Sequence, residues 1–584
     1  MGGEGLADYV TQEYKLPYLS DQEIRSLIGL LKLHNCLGHL STETLENQIL
    51  AFEQRAGRQL LVALHEATLG KPLEEILVDE FNEVKPREAQ DIYLSVCVLN
   101  RLGIQVRAGV ISRVYGVPFR EFKSRFFAPL EHVVNVVERT QLRDFAYEAR
   151  HPQIAQIVFE RILVEPNEKF DFYIRMLKAL NISYSSDRKA FRKLILGNSL
   201  LALFPDFQDV KRIFEAAFEL APDDAFVYQQ RAIYEMKRPN GSLDIANNLL
   251  QEAKHLEPRN YSILHSLAEL YLIRAERAEA PLLVDRYRSE SRKIATLLLA
   301  DERSRKVAYH TVIKGYIGEL EDLLQEEDTN DRSIDKVVQI VEEYLERGIQ
   351  ECPGDSYLHS AEAELYTLME NDNKALVALD KAFKSNPRNP FIAIRLSKTY
   401  EKREDVEQAT ETVKLALDAN PGDQRLHFRY AMLLLDDPQS TLESRLYHLK
   451  RSFTQGDRQY EAQFWYAVHC FLSGNPDHIE ESKRLFRHLR GCPVPFETKM
   501  IVRYWISEDG VRKVFRGNIV QKEGSFGFIS RDGFADSIFI HANHLDRELW
   551  DDLGFGSRVL FSVGFDFGGP VAVDVVRERC TIIH

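Results

Sequence analysis

No stretch of this 584-residue chain approaches the roughly 18 uninterrupted apolar residues of a membrane-spanning helix. The opening residues, MGGEGLADYVTQEYK, hold no apolar signal core. Cysteine is scarce and scattered: the six thiols at 36, 97, 352, 470, 492 and 580 form no Cys-x-x-Cys pair. That argues against zinc and disulfides and fits a reducing, cytoplasmic setting. The phosphate loop Gly-x-x-x-x-Gly-Lys-Ser/Thr is missing, and the nearest glycine-rich pieces, MGGEG and GFGSRV, lack its lysine. There is no nucleophile elbow, and His478 with Glu480 has no third metal ligand nearby. The expectation is a chain that is not an enzyme and takes no cofactor or metal. Net positive charge is absent too. At −14 the chain lacks the basic surface of a general polyanion binder, so any nucleic-acid affinity has to be local.

What is present is an internal repeat. Pro353, Pro387 and Pro421 stand 34 residues apart, as do Tyr366 and Tyr400, and Ala363, Ser397 and Ala431. Ala375 and Ala409, and Ala382 and Ala416, keep the same period. Small residues let paired helices approach closely, and proline stops the second helix, so the period is that of tetratricopeptide repeats. The Ala-x-x-x-x-Pro ending recurs at Ala217–Pro222 and Ala253–Pro258. A repeat containing Ala268 and Tyr271 then takes in a long insertion to about residue 345, with LQEEDTNDRS as an exposed acidic loop. Six to eight helix pairs are expected in all. Such arrays bind extended peptides or other domains on a concave face. By register, Tyr357, His359, Arg395, His427 and Arg429 are candidates for that face.

The last ~75 residues change character. Phe526 and Phe528 stand two apart, and so do Phe539 and His541. Strand residues two apart share a face, so two neighbouring strands would collect three phenyl rings and an imidazole on one patch. Gly527 leaves the opposite side small. Exposed aromatics on a sheet stack unpaired bases. Acids in the segment about equal bases.

GSFGFIS, DSIFIHANHL, GFGSRVLFSV and GGPVAVDV, taken in order, resemble a cold-shock domain, a five-stranded OB-type barrel, from about Val514 to Val575. The resemblance implies base stacking by Phe526, Phe528, Phe539 and His541, with Arg516, Lys522 and Arg531 as phosphate contacts. Two departures reduce the platform. GNIVQKEGSF lacks the Trp-Phe pair usual between the first two strands, and Ala542 stands where an aromatic often follows the histidine. At about 1–3 kcal/mol per stacked base, three or four bases support roughly micromolar affinity after association entropy is subtracted.

The front is helical. Ser20-Asp21-Gln22-Glu23 is a capping box ahead of Ile24, and Ser41-Thr42-Glu43-Thr44 opens a second helix. Leu60, Leu61, Leu64 and Leu69 mark a further helical face, and a shorter helix runs from Glu74 to Glu83. After Pro86 come a helix over Arg87–Leu102, a short one over Ala108–Tyr115, a third in FREFKSRFFAPLEHVV and a hairpin in VNVVERTQLRDFAYEARHP. Three helices and a wing suggest a winged helix-turn-helix. On DNA, Ala108–Tyr115 would be the recognition helix, offering Arg107 and Arg113 to the groove; the alternative is packing against its own chain. RQLLVALHEATLGKPLEEIL, AQDIYLSVCVLNRLGIQVRAGVISRVYGV and FAYEARHPQIAQIVFERIL resemble the segment that follows the nucleotide-binding core in STAND-type P-loop ATPases, switches many of which act in anti-phage defence. By analogy with that family, His151 is a nucleotide sensor or, more plainly, a polar residue at a helix start.

The expected architecture is mainly α, with a C-terminal five-stranded β-barrel. Residues 1–85 form a helical bundle, 86–165 a winged-helix-like domain, 166–495 a tetratricopeptide-like solenoid and 510–584 the barrel. GCPVPFE at 491–497 is a linker, and MIVRYWISEDG is an extension strand or short connector. The expected function is a regulatory scaffold that binds single-stranded RNA or DNA on the barrel and a protein or peptide partner on the solenoid, with no membrane. The alternative is the regulatory half of a STAND-like switch whose ATPase core is absent from this chain.

Overall fold

The computed structural model describes residues 19, 21–34, 36–52, 73–116, 130–139, 144–325, 331–420, 422–437, 439–454, 457–508, 511–534, 537–542 and 545–578. They divide into two compact units: residues 1–421 with 454–457, and residues 422–453 with 458–584. No described helix is long and apolar enough to cross a membrane.

The first unit opens with helices Asp21–Leu33, Leu45–Leu50, Leu73–Glu83 and Arg87–Asn100. The Thr44 hydroxyl accepts the Asn47 N–H and caps the second of these. The face expected at Leu60, Leu61, Leu64 and Leu69 lies outside the described residues. Strand β1 (Val106–Arg107) leads directly into helix Ala108–Tyr115, which Gly116 ends in the left-handed conformation at φ 63°. Strands β2 (Val134–Arg139) and β3 (Asp144–Ala149) form an antiparallel hairpin, and the sheet order is β1-β3-β2. Most of the expected third helix also falls outside the described residues. One hydrophobic core runs from Ile24 to Tyr234, so the front segment and the first repeat helices share an interior.

Five consecutive helix pairs follow within this unit, from Ala225–Lys237 with Leu243–Leu256 to Pro390–Lys402 with Val406–Ala419. The small residues act as their spacing predicts: Ala363, Ser397, Ala382 and Ala416 are fully buried. A larger side chain at any of them would push two helices apart. Side chains cap the turns: Asp355, Asn389 and Asp405 each accept a backbone N–H from the first turn of the helix that follows. The expected long insertion is corrected. Residues 261–351 are two ordinary pairs with lengthened helices, Tyr261–Glu276 with Pro281–Leu298 and Arg305–Gln325 with Asp331–Glu351.

The second unit holds two further pairs, Gln424–Leu435 with Leu442–Arg451 and Tyr460–Leu472 with Pro476–Gly491, and then the sheet structures. Strands β4 (Tyr504–Trp505), β5 (Ser507–Glu508) and β6 (Val511–Arg512) precede the barrel strands β7 (Val514–Glu523), β8 (Phe526–Arg531), β9 (Ser537–His541), β10 (Arg558–Asp566) and β11 (Gly569–Arg577). The order β11-β9-β8-β7-β10 closes through the β10–β11 hairpin, and β4 extends β10 at Tyr504 and Trp505. Within this unit the barrel is not merely tethered to the last repeats. Phe464, Phe486 and Leu489 share a core with Phe561, Phe565 and Phe567, and the Phe471 and Phe565 rings meet edge to face at 5.4 Å. Arg490 donates from Nε and Nη2 to the Gly568 carbonyl at 2.9 and 2.7 Å. The second residue of the expected linker at 491–497, Cys492, is thus buried inside the shared core.

Candidate nucleic-acid interface

The barrel's aromatic patch is built by strand register. Phe526 pairs with His541 and Phe528 with Phe539 across β8 and β9. The four side chains therefore share one face. Along β8, half-buried residues alternate with buried ones, so Phe526, Phe528 and Ser530 face out while Gly527, Ile529 and Arg531 face in. The rings touch one another: Phe526 and Phe539 stack with centroids 6.2 Å apart, Phe528 meets Phe539 edge-on at 5.8 Å, and His541 lies 6.2 Å from Phe539. None of the three phenylalanines belongs to the core shared with the helices. Such a patch is an aromatic platform reaching solvent on a rigid sheet.

Two neighbours hold it in shape. A Cβ on Gly527 would stand 2.5 Å from the Gln521 carbonyl, so only glycine lets β7 and β8 approach here. The turn before Phe526 is gripped from outside. Trp550 donates its indole N–H to the Gly524 carbonyl at 3.1 Å, and the Ala542 amide donates to the Ser525 carbonyl at 2.7 Å.

The expected phosphate contacts fare differently. Arg516 is exposed, with Nε 3.5 Å from Glu578. Lys522 is corrected: its ammonium donates to the Trp550 and Leu553 carbonyls at 2.5 and 2.6 Å and sits 4.8 Å from the Trp550 ring. It adds a charged donor to carbonyls at the end of helix Arg547–Asp552, where the Trp550 carbonyl also accepts the Leu553 N–H at 3.3 Å. The cause is a bulge between Ile519 and Gln521, which reverses the parity of β7 and turns Lys522 under the sheet. Arg531 is corrected as well. It is 6 % exposed, with its guanidinium 4.0 Å from the Phe534 ring and 4.8 Å from that of Phe515. Three further arginines are paired with acids: Arg512 with Asp574, Arg558 with Asp532 and Glu578, and Arg577 with Asp552. The rings thus offer π-faces, while these cations are held by acids, carbonyls or rings of the barrel itself.

Fold and site together define an OB-type barrel with an outward aromatic face. The C-terminal barrel is a cold-shock domain: residues 518–578 match the family described as 'Cold-shock' DNA-binding domain. No curated protein matches the chain. Solved structures similar to it include a thermophilic tetratricopeptide-repeat protein of Thermus thermophilus, 20 % identical over 36 % of this chain and 99 % of its own, with a TM-score of 0.28. Another is a tetratricopeptide-repeat protein from Parabacteroides merdae, 13 % identical over 48 % of this chain and 98 % of its own, TM-score 0.27. The human IFIT1 dimer with m7Gppp-AAAA is 16 % identical over 70 % of this chain and 99 % of its own, TM-score 0.29. The STAND resemblance of the front gains no support from these comparisons.

At the front, Arg107 is corrected as a groove-reading residue. It is 7 % exposed, pairs with Asp187 at 3.3 Å and lies 3.4 Å from the Tyr184 ring centre. Arg113 donates from Nε to the Ala179 carbonyl at 2.6 Å and also approaches Asp187. Arg107, just ahead of helix Ala108–Tyr115, and Arg113 within it are thus both engaged by the chain around Ala179 and Asp187. His151 accepts the Gln153 N–H on Nδ1 and caps helix Pro152–Ile162.

On the repeats, three concave-face candidates are corrected by burial. His359 bonds Glu362 at 3.1 Å, His427 meets His448 at 2.9 Å, and Arg429 is 8 % exposed. Arg395 is half-buried and donates to the Ser360 carbonyl. Tyr357 is 55 % exposed. Sequence reasoning missed Phe391, which is 68 % exposed. The signal was available: Phe391 stands 34 residues from Tyr357, at the same position of the next repeat.

Proposed function

We propose that this chain is a non-catalytic adaptor in which the barrel holds single-stranded RNA or DNA by stacking unpaired bases on Phe526, Phe528, Phe539 and His541, while the repeats hold a protein partner. The observation that carries it is the register: four rings on one outward face, in mutual contact and outside the core. Partner binding is supported by the exposed aromatics Tyr357 and Phe391 at equivalent repeat positions. The test is fluorescence anisotropy of the full chain with labelled ten-nucleotide RNA and DNA, at two salt concentrations. Roughly micromolar binding that falls only slightly with salt, and that Phe526→Ala/Phe539→Ala removes, supports the reading. A folded wild type that binds neither strand refutes it and makes the barrel a protein-contact module.

A further inference from the structure

The platform has a third side. In the β7–β8 ladder Glu523 stands opposite Phe526 and Gln521 opposite Phe528. Directly opposed residues share a face with Cβ atoms about 4.5–5.5 Å apart. Both side chains are exposed. The bulge that turns Lys522 under the sheet is what turns these two residues out: it adds a residue after Ile519 and so shifts the parity of β7 by one. Gln521 donates from Nε2 to Glu523 Oε1 at 2.8 Å, which spends an amide N–H and anchors the carboxylate beside the rings. Among the described residues no lysine or arginine pairs with Glu523. The edge of the platform is therefore rich in hydrogen-bond acceptors.

We infer that Gln521 and Glu523 make this edge selective for bases carrying an exocyclic amino group, so that cytosine is taken in preference to thymine or uracil. The inference rests on the stacking reading of the same platform. A base stacked on Phe526 or Phe528 turns one edge toward β7. Cytosine presents an N4 amino donor where thymine presents the O4 acceptor, and carboxylates accept from that amino group. Thymine at the same place would set its oxygen against the carboxylate and leave both unpaired. The two pyrimidines stack with similar ring area, so the difference isolates the edge.

The test titrates the full chain with labelled deca-deoxycytidine and deca-deoxythymidine at pH 7.5, where the cytosine strand stays unstructured. The expected result is about tenfold tighter binding of the cytosine strand, the worth of one good base-edge contact. Glu523→Gln offers both a donor and an acceptor and should bring the ratio near one while leaving affinity for the thymine strand within about threefold. Equal or tighter binding of the thymine strand by the wild type overturns the inference and leaves the stacking reading intact. A cytosine preference that survives Glu523→Gln also overturns it. Binding of neither strand refutes the stacking reading itself, and the inference with it.

Discussion

Two places in this chain carry the sequence marks of nucleic-acid contact, and they fold in opposite ways. Helix Ala108–Tyr115 is the recognition helix expected from the sequence, yet Arg107 is buried against Asp187 and Tyr184, and Arg113 is bonded to Ala179. The β8–β9 face carries almost no usable charge, yet it turns four rings outward. A cation on a short side of a helix is easily captured by a neighbouring carboxylate, and the pair then serves the fold. A phenyl ring on the outer face of a barrel has no such intramolecular use. Exposed apolar surface on a rigid sheet is thus the better signal of a binding function here than the presence of arginine.

That contrast is broken first at the rings. Phe526→Ala/Phe539→Ala should weaken single-strand binding by at least about thirtyfold, given about 1–3 kcal/mol per stacked base. The melting temperature should stay nearly unchanged because the rings lie outside the core. Arg107→Ala should do the reverse. It leaves Asp187, 2 % exposed, without one of its two arginines, and should cost roughly 3 kcal/mol in denaturant unfolding with single-strand affinity unchanged.

The join between barrel and last repeats offers a pH handle. Burial pushes the Asp566 carboxyl up to about 6, against the opposing pull of the Gly568 and Gly569 N–H groups and of Arg490 and Arg503. Its folded value lies above its unfolded one. Its contribution is therefore fully present below about pH 4 and is lost as the pH rises through about 6. Relative to Asp566→Asn, the wild type should lose on the order of 2–3 kcal/mol across that window, read by urea unfolding at pH 4.5 and pH 7.5. Asparagine keeps an acceptor for the Gly568 N–H, so a difference that does not vary with pH would contradict the assignment.

The smallest expected effect sharpens the picture of the platform. Trp550→Phe keeps the buried ring but removes the hydrogen bond to the Gly524 carbonyl, which positions the turn before Phe526. Single-strand affinity should fall two- to fivefold, about 1 kcal/mol or less. The loss should vanish in a Phe526→Ala background, because the turn then presents no ring.

Much of this was legible in the residues. The 34-residue period located the small buried positions, and the period of two along β8 placed Phe526 and Phe528 together. The same parity rule also put Arg531 inside, since it stands two residues from the buried Ile529. The residue type, rather than its register, suggested a phosphate contact. Lys522 was not readable in this way, because a bulge adds a residue without any mark in the local sequence. Residues 261–351 look like an insertion because their helices, 16 to 21 residues long, outgrow the repeat period while keeping its pairing. The join at Arg490 and Gly568 was hidden for another reason: it depends on groups 78 residues apart, and nothing local announces it.

The most direct measurement compares one ten-nucleotide strand with the same strand annealed to its complement, each titrated with the full chain. Pairing hides the base faces that the platform needs and creates the groove that a recognition helix would enter. The prediction is micromolar binding of the single strand and at least a tenfold loss on annealing. Equal or tighter binding of the duplex would contradict the account, and would place the nucleic-acid contact somewhere other than the β8–β9 face.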